Sequence, residues 1–525
     1  MEPERNETGN GQTRFRFHSI LFPGTDGFPA ASATEDPEYF HDLFLDQIVE
    51  AITANWQEYD LGGFYRYPLS DPDAIAYRQE IMGDLDGDAP MLAMREFAEK
   101  MRTMRVRLEA SAKSYYPSEK HYWVLDACHL YCTGVETLSR SLQEAALASR
   151  GLLAFRDWLA EYVESEAFLH LAAEMRGIRS DLGAIRYEVL IDGAAVTVLK
   201  YDGGPDYSAA VEETFEKFQR GAVKSYLLDY SGRMGMNHIE AQIVERVARL
   251  FPEPFARLQS FCADQAGFAH AVVTRFDREI QFYVAYLAYI SKFRKAGLEF
   301  CRPELSRSSK VIAVHGAFDP ALASKLIDEK APVVCNDFHL ADGERIFVVT
   351  GPNQGGKTTF ARMVGQLHYL ARLGCMVPGS AARLFLCDAL FAHFERQEDI
   401  RNLRGKLQDD LVRIKQILDC TTPGSLIIMN EIFSSTTLRD AVFLSKKIMD
   451  RISRSDALAV CVTFLDELAT FDDKTVSLVC SASQADPAQR TFKVERRPAE
   501  GLAYALAIAE KHRVTGEWLK RRIAP

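Results

Sequence analysis

The sequence predicts a mainly α-helical region that precedes an α/β domain, and two observations support this division. Between residues 39 and 300, apolar side chains recur at three- and four-residue spacing, which is the period of amphipathic helices. After Arg302 and Pro303, short β-rich runs alternate with helical runs, beginning with the run at residues 311–314. We therefore expect the boundary between the two parts near residues 305–310.

Length and composition are those of a soluble globular protein with several domains. The chain has 525 residues, of which 47% are hydrophobic and 26% are charged, and its formal net charge is −11. No apolar run approaches the ~18 residues that span a bilayer. The first 17 residues lack the apolar stretch of a secretory signal. We expect no membrane association and a cytoplasmic location.

The cysteine spacing and the net charge exclude few classes of function. The ten cysteines form no CxxC pair, and the closest spacing, Cys128 to Cys132, is more typical of one helix face than of a metal site. Free thiols fit a reducing compartment. The acidic balance predicts no general attraction to nucleic acid, although local basic faces can still bind phosphates. Charge alone leaves DNA binding open.

The helical region has a loose start and one β interruption. Residues 1–36 mix polar, charged, Gly and Pro residues, so we expect a loose arm that docks at residues 15–22. Residues 37–305 follow as a helical domain, in which apolar residues from Phe40 to Ile52 predict the first amphipathic helix. The β-rich runs within residues 185–201 flank Asp192-Gly193, a dipeptide suited to a hairpin turn.

A phosphate-binding loop opens the α/β domain, which we expect over residues 306–525. The buried-strand pattern at residues 345–350 feeds a GxxxxGK[ST] sequence, and a helical run at residues 359–373 follows. Lys357 can reach the β- and γ-phosphates of a nucleotide, and Thr358 can bind Mg²⁺. The predicted ATP- and Mg²⁺-binding residues are Gly351, Pro352, Asn353, Gln354, Gly355, Gly356, Lys357, Thr358 and Thr359.

A second buried strand at residues 425–429 ends in Asn430-Glu431, where P-loop ATPases carry a pair of acids. Glu431 is the candidate general base and acts together with Lys357 as the predicted catalytic pair. Asn430 is the candidate metal ligand with Thr358, but a neutral amide organises a metal ion less strongly than a carboxylate. Slow hydrolysis is therefore expected. A strand end with no catalytic part is the alternative interpretation.

Three motifs together resemble the ATPase domain of the MutS mismatch-repair family. They are GPNQGGKTT at residues 351–359, GCMVP at residues 374–378, and Asn430-Glu431-Ile432 with Thr436-Thr437. Residues 68–80 resemble the opening of the helical core domain of that family, and residues 255–303 resemble its long lever helix. The resemblance implies an ABC-type α/β P-loop ATPase domain preceded by a helical core and lever domain with a small β-hairpin clamp.

The chain also departs from the family pattern. Only a short arm precedes the core where the family has mismatch-reading and connector domains, so direct mismatch reading is not expected. The hairpin at residues 185–201 stands in the place of the clamp and is much reduced. Lys200, Arg220 and Lys224 are candidates for DNA contact, but we favour ordinary surface charge because positive residues are few there.

Within the ATPase domain, residues 388–399 resemble the family segment that faces the nucleotide of the partner, with Gln397 in place of a serine. Phe464 replaces the histidine of a Thr-His pair. Residues 500–523 resemble the helix-turn-helix that clasps the neighbouring ATPase domain, which implies a homodimer. These departures make ATP binding better supported than turnover.

Two functions follow from the resemblance. The first is an ATP-dependent, MutS-like clamp that binds double-stranded or branched DNA in repair or recombination. The second is a dimeric scaffold or regulator that binds ATP, hydrolyses little of it and binds no DNA. The altered residues Asn430 and Phe464 favour the second function.

Overall fold

The computed structural model describes residues 17–24, 36–193, 195–204, 235–265, 267–395, 405–482, 490–499 and 513–523. The chain divides into two compact units. The first unit comprises residues 1–87, 148–152 and 278–525, and the second comprises residues 88–147 and 153–277. Among the described residues, no helix combines the length and the apolar character needed to cross a membrane.

The helices of the described residues lie both in the predicted helical region and in the predicted α/β domain. They are α1 (Glu38–Asp42), α2 (Leu45–Thr53), α3 (Gly62–Tyr65), α4 (Pro72–Leu85), α5 (Asp88–Lys113), α6 (Pro117–Glu144), α7 (Arg150–Val163), α8 (Glu166–Ala184), α9 (His238–Leu250), α10 (Pro252–Asp264), α11 (Ala271–Lys295), α12 (Pro320–Asp328), α13 (Lys357–Arg372), α14 (Lys406–Cys420), α15 (Leu438–Ser455) and α16 (Gly516–Ile523). Short 3₁₀ helices lie at Gln57–Tyr59 and Asp466–Thr470.

The strands lie mainly in the carboxyl-terminal half, as the sequence predicts. They are β1 (Tyr187–Asp192), β2 (Ala195–Lys200), β3 (Phe300–Cys301), β4 (Glu304–Ser306), β5 (Ile312–Ala317), β6 (Asn336–Leu340), β7 (Ile346–Thr350), β8 (Val377–Pro378), β9 (Ala381–Phe385), β10 (Leu390–Phe394), β11 (Leu426–Asn430), β12 (Leu458–Val462), β13 (Thr475–Ala482) and β14 (Arg490–Arg496). A mixed helix and sheet architecture is therefore confirmed.

A six-stranded sheet forms the centre of the first unit, with strand order β10-β11-β12-β7-β13-β14. Neighbouring strands from β10 to β13 are parallel, and β14 runs antiparallel to β13. Strands β7, β11 and β12 are buried along their whole length, as expected of parallel strands covered on both faces. Their carboxyl ends meet at one edge, where α/β sheets bind ligands. The same unit contains a four-stranded sheet, β4-β9-β5-β6, and a two-stranded sheet, β3-β8.

The compact units divide the chain differently from the predicted segments 1–36, 37–305 and 306–525. Residues 36–87 and 278–305 belong to the same unit as the six-stranded sheet. Leu69, for example, exchanges hydrogen bonds with Arg372 at the end of α13. The predicted arm lies outside the described residues, except for residues 17–24 and 36.

The first predicted helix is interrupted. The pattern from Phe40 to Ile52 predicts one helix, whereas the structure has α1 and α2 with Phe44 between them at φ 56°. The ring of Phe44 lies 3.6 Å from the Arg362 guanidinium carbon. Phe44 thus makes a tertiary contact while its backbone is left-handed, a conformation that is uncommon for a residue with a bulky side chain.

Helices α5, α6, α8, α9 and α10 belong to the second unit, together with the hairpin β1-β2. The predicted hairpin is confirmed, but its turn starts one residue later than predicted, because Asp192 pairs with Ala195 as the last residue of β1 and Gly193, at φ 58°, follows it. Cys128 and Cys132 lie on one face of α6 with their sulfur atoms 4.0 Å apart, as predicted. All ten cysteines are free thiols.

A buried arginine ties the amino-terminal residues to the phosphate-loop helix. Arg78 has no exposed surface, and its guanidinium lies between the rings of Phe22 and Phe282. It donates hydrogen bonds to the carbonyls of Leu21, at 3.0 Å, and Leu373, at 3.1 Å. Leu373 is the residue that follows α13, so Arg78 also places a cation at the negative end of that helix.

We expect Arg78→Met to lower the free energy of unfolding of the first unit by about 2–4 kcal/mol, because two buried carbonyls would lose their donors. Urea denaturation measures the change. Arg383→Met is the matched control, since the Arg383 side chain is 45% exposed and lies 3.9 Å from Glu304. Equal losses in the two variants would contradict the anchoring role of Arg78.

Burial also makes His368 of α13 a source of acid sensitivity. Burial lowers the pKa of His368 from 6.5 to about 4, and its Nδ1–H donates to the carbonyl of Val364. The unfolded chain therefore binds the proton more readily, so the stability contributed by neutral His368 is lost as pH falls below 6.5.

Between pH 7 and pH 5, we expect the wild-type protein to lose about 2 kcal/mol more stability than His368→Leu. Urea denaturation at both pH values gives the difference. The exposed His41, replaced by Leu, serves as the control and should follow the wild type. A His368→Leu variant with the same pH dependence as the wild type would show that His368 is not responsible.

Candidate nucleotide-binding site

The loop between β7 and α13 is shaped by glycines that no larger residue can replace. Gly351 has φ 123°, and a Cβ there would lie 2.8 Å from the Cys480 carbonyl oxygen. A Cβ at Gly355 would lie 2.9 Å from the Pro352 carbonyl oxygen. Gly356, at φ 99°, directly precedes the first residue of α13. The loop thus brings its backbone to the positive end of the helix, which is an anion-binding arrangement.

Lys357 is the first residue of α13 and is 4% exposed. Its ammonium donates to the carbonyls of Gly351, at 3.0 Å, and Pro352, at 3.2 Å. The Phe464 ring centroid lies 4.0 Å from the same Nζ atom. Burial lowers the pKa of Lys357, and the nearby charge of Glu431 opposes that shift. The ammonium is therefore held by two carbonyls and one aromatic face.

A side-chain hydrogen bond joins the phosphate loop to the end of β11. Thr358 Oγ1 donates to Asn430 Oδ1 at 2.9 Å. Asn430 is buried and is the last residue of β11. Strand β12 lies between β7 and β11, and Val462 of β12 pairs with both Val349 and Asn430, so the three strands end at the same level. This alignment brings together two predicted motifs that lie 72 residues apart.

Glu431 follows Asn430 in a left-handed conformation, at φ 53°. Its N–H donates to the Val462 carbonyl at 2.9 Å, which fixes its backbone. Burial raises the pKa of Glu431, Lys357 lowers it, and the charge of Glu395 raises it further. A carboxylate with a raised pKa is a stronger base than an ordinary glutamate.

Glu395 is a neighbour of this site that the sequence analysis did not single out, since it included residues 388–399 only as a segment that faces the nucleotide of the partner. It follows β10, whose last residue, Phe394, pairs with Asn430. Ser434 Oγ donates to Glu395 Oε1 at 3.0 Å, and Lys406 forms an ion pair with the same carboxylate. The hydrogen bond from Lys406 lowers the pKa of Glu395. Glu395 follows the strand next to the one that Glu431 follows, and the sequence alone does not show that these two strands are neighbours.

A cavity of about 520 Å³ opens above the phosphate loop. Its polar side contains residues 353–359 and Glu431. The remainder is mainly apolar, with Leu322, Leu326, Ala331, Pro332, Val333, Val334, Met363 and Phe492 in its wall. The predicted residues Asn353 to Thr359 therefore line one cavity, while Gly351 and Pro352 act through their carbonyls on Lys357.

Phe492 of β14 is the second residue that the sequence analysis did not single out. Phe492 has φ 57°. Its ring lies next to Gly356, and the Phe492 Cδ1 atom would be 3.8 Å from a Cβ added to that glycine. Asn336 fixes this turn of the backbone, since its side chain donates to the Phe492 carbonyl and accepts from the Val494 N–H at 2.8 Å. The arrangement holds an aromatic ring beside the phosphate loop.

The donor atoms suit a nucleotide phosphate with a magnesium ion. Backbone N–H groups at a helix start and the Lys357 ammonium are donors for phosphate oxygens. Thr358 Oγ1 and Asn430 Oδ1 are neutral oxygen ligands of the kind that Mg²⁺ accepts together with phosphate. Within the described ranges, no group of three or more His, Cys, Asp or Glu residues forms a separate metal site.

Five further residues that the sequence analysis named lie apart from this cavity or outside the described residues. Thr437 accepts from the Asp440 N–H at 3.2 Å and so caps α15. Lys200 Nζ lies 5.0 Å from the Phe251 ring centroid. Gln397, Arg220 and Lys224 lie outside the described residues.

Comparison with known proteins identifies a domain within the second half of the chain. The family model described as MutS domain V matches residues 347–517. The DNA mismatch repair protein MutS of Rickettsia bellii is 28% identical over 176 residues, which is 33% of this chain and 20% of that protein. MutS of Orientia tsutsugamushi is 30% identical over 181 residues, which is 34% of this chain and 20% of the relative.

The DNA mismatch repair protein Msh3 of Mus musculus is 28% identical over 156 residues, covering 30% of this chain and 14% of that protein. The matched part thus spans about a fifth or less of the length of these curated relatives. The matched region contains the phosphate loop, the Thr358–Asn430 contact and Glu431. Residues 347–517 therefore form a domain of the MutS domain V family.

Proposed function

We propose that the chain is a MutS-like ATPase that binds ATP and Mg²⁺ in the cavity above the phosphate loop. The observation that carries this proposal is the 2.9 Å hydrogen bond between Thr358 and Asn430, because it brings the two nucleotide motifs into one site. The ABC-type arrangement of this ATPase domain is part of the proposal. We also propose that the preceding residues form a helical core and lever region with a reduced clamp hairpin.

Each part of the nucleotide has a counterpart in the cavity. The triphosphate lies along the loop at the start of α13, with Lys357 donating to its β- and γ-phosphates. The base occupies the apolar part, where Phe492 offers an aromatic surface. Thr358 and Asn430 would hold Mg²⁺, which supplies positive charge to the transferring phosphoryl group when bound.

Glu431 orients the attacking water and accepts its proton. The fixed backbone of Glu431 and its raised pKa suit this task. Lys357 neutralises negative charge that develops on the phosphate oxygens. Asn430 contributes no charge to the metal site, so the electrostatic stabilisation of the transition state is weaker than with an acid at that position. Hydrolysis is therefore slow.

The partners and the pathway are proposed from similarity to the relatives. Because those relatives are named DNA mismatch repair proteins, we extend the proposal to a DNA repair or recombination role on double-stranded or branched DNA. A homodimer through the ATPase domain is proposed on the same ground. Mismatch reading is not included, since the matched residues belong to domain V.

A second candidate function has its own support in Asn430. With a neutral residue at the metal position, ATP becomes a bound switching ligand, and the dimer acts as a scaffold or regulator that hydrolyses little ATP and binds no DNA. Phe464 supports the same candidate, because its ring offers no hydrogen bond to a phosphate.

Steady-state hydrolysis distinguishes the two functions. With ATP and Mg²⁺, we expect slow turnover by the wild type that branched or duplex DNA increases. Lys357→Ala should abolish nucleotide binding, whereas Glu431→Gln should keep ATP binding and reduce turnover by about 10²–10⁴-fold, the usual contribution of a general base. Tight ATP binding without turnover, in the wild type and with DNA present, would support the scaffold instead.

Restoring an acid at position 430 tests the explanation for slow hydrolysis. We expect Asn430→Asp to raise turnover about tenfold or more and to lower the Mg²⁺ concentration needed, because the carboxylate adds charge next to Thr358. Asn353→Asp places the same charge elsewhere in the cavity and should weaken ATP binding by repelling phosphate. If Asn430→Asp leaves both turnover and Mg²⁺ dependence unchanged, Asn430 does not limit the reaction.

A further inference from the structure

The hairpin β1-β2 of the second unit has an unusually apolar and exposed surface. Tyr187, Leu190 and Ile191 are 44%, 53% and 74% exposed, and Val189 and Leu199 are 38% and 43% exposed. Within the described residues, the hairpin is a sheet of two strands with no further partner. A two-stranded sheet is only marginally stable alone, and an exposed apolar edge strand tends to pair with another chain.

The hydrogen-bond pattern shows which groups of β1 are unpaired. Asp192 and Ala195 flank the turn and pair with each other, so every second residue back along β1 bonds to β2. Arg186 belongs to this set, because its carbonyl accepts from the Tyr201 N–H at 3.4 Å. The N–H and C=O groups of Tyr187, Val189 and Ile191 therefore point away from β2, along the outer edge of β1.

The charges on the hairpin are unsuitable for a nucleic-acid backbone. Residues 187–199 contain two acids, Glu188 and Asp192, and no lysine or arginine. Binding to phosphates relies on basic side chains that displace counterions. Lys200 lies at the base of the hairpin, over Phe251. The exposed part of the hairpin therefore suits a protein surface.

We propose that the outer edge of β1 pairs, antiparallel, with the same edge of a second copy of this chain. In the register centred on Val189, Val189 lies opposite the partner's Val189, and Tyr187 lies opposite the partner's Ile191. All of these residues have outward N–H and C=O groups, so the pairs form regular hydrogen bonds. A four-stranded sheet with two-fold symmetry results.

Side-chain complementarity selects this register. Arg186 lies opposite the partner's Asp192, so two ion pairs form across the two-fold axis. Arg186 is exposed and donates to the Gly183 and Ile185 carbonyls, and among the described residues it has no carboxylate partner. On the other face of the four-stranded sheet, the apolar side chains of Tyr187, Val189 and Ile191 lie beside the same three side chains of the second copy. One apolar surface therefore extends across both copies. Because Arg186 precedes the first residue of β1 and Asp192 is its last residue, two antiparallel copies of β1 are complementary in charge.

Disulfide trapping of the full chain without nucleotide tests the contact. Directly opposed residues of a hydrogen-bonded antiparallel pair have Cα atoms about 5.5 Å apart, which a disulfide can span. In a Cys420→Ser background, which removes an exposed native thiol, Val189→Cys should form covalent dimer at least tenfold faster than the background. Leu190→Cys is the matched control, because it is more exposed but would not face its own copy.

A charge exchange tests the register independently. In the Val189→Cys protein, Asp192→Arg should slow cross-linking about threefold to tenfold, since Arg186 would then face an arginine. Adding Arg186→Asp should restore the original rate. No covalent dimer above background would overturn the proposal, as would equal rates for Val189→Cys and Leu190→Cys, which would indicate random collision. Because the assay contains no nucleotide, failure of ATP binding or hydrolysis does not affect its outcome.

Discussion

The hydrogen bond between Thr358 and Asn430 depends on where three parallel strands end, and the whole site depends on the same constraint. Val462 pairs with both Val349 and Asn430, so β7, β12 and β11 end at one level. Adjacent strands lie about 4.8 Å apart, so the motifs at β7 and β11 are separated by about 10 Å of sheet. The first turn of α13 bridges this distance with the Thr358 side chain. A shift of one residue in either register would remove the contact.

Helix α13 transmits a second constraint to the site. Its amino end begins directly after the glycine-rich loop, whereas its carboxyl end is fixed by Arg78 and by the exchange of hydrogen bonds between Leu69 and Arg372. The cation of Arg78 complements the negative end of the helix, and the positive end is left for an anion. Residues distant in sequence from the phosphate loop therefore determine its position.

Local patterns predicted the residues of the phosphate loop and the strand end, because glycine spacing and buried apolar runs are properties of short segments. Glu395, Phe492 and Asn336 were not singled out, since each reaches the site through strand pairing that no short segment encodes. The interruption at Phe44 was missed for a similar reason, as its ring contacts Arg362 across 318 residues. Sequence reasoning therefore located the loop and the strand end but not the walls of the cavity.

On the proposed function, the balance of charge in the site would separate ATP binding from turnover. A carboxylate at position 430 would add negative charge beside the phosphates and would need a bound cation to offset it. With neutral Asn430, the ammonium of Lys357 and the start of α13 face the nucleotide with less opposing charge, which favours retention of a polyanion. The same substitution removes charge that holds the metal during phosphoryl transfer. In the proposed ATPase, one residue thus stabilises the ground-state complex relative to the transition state, and an interaction of this kind raises the barrier to catalysis.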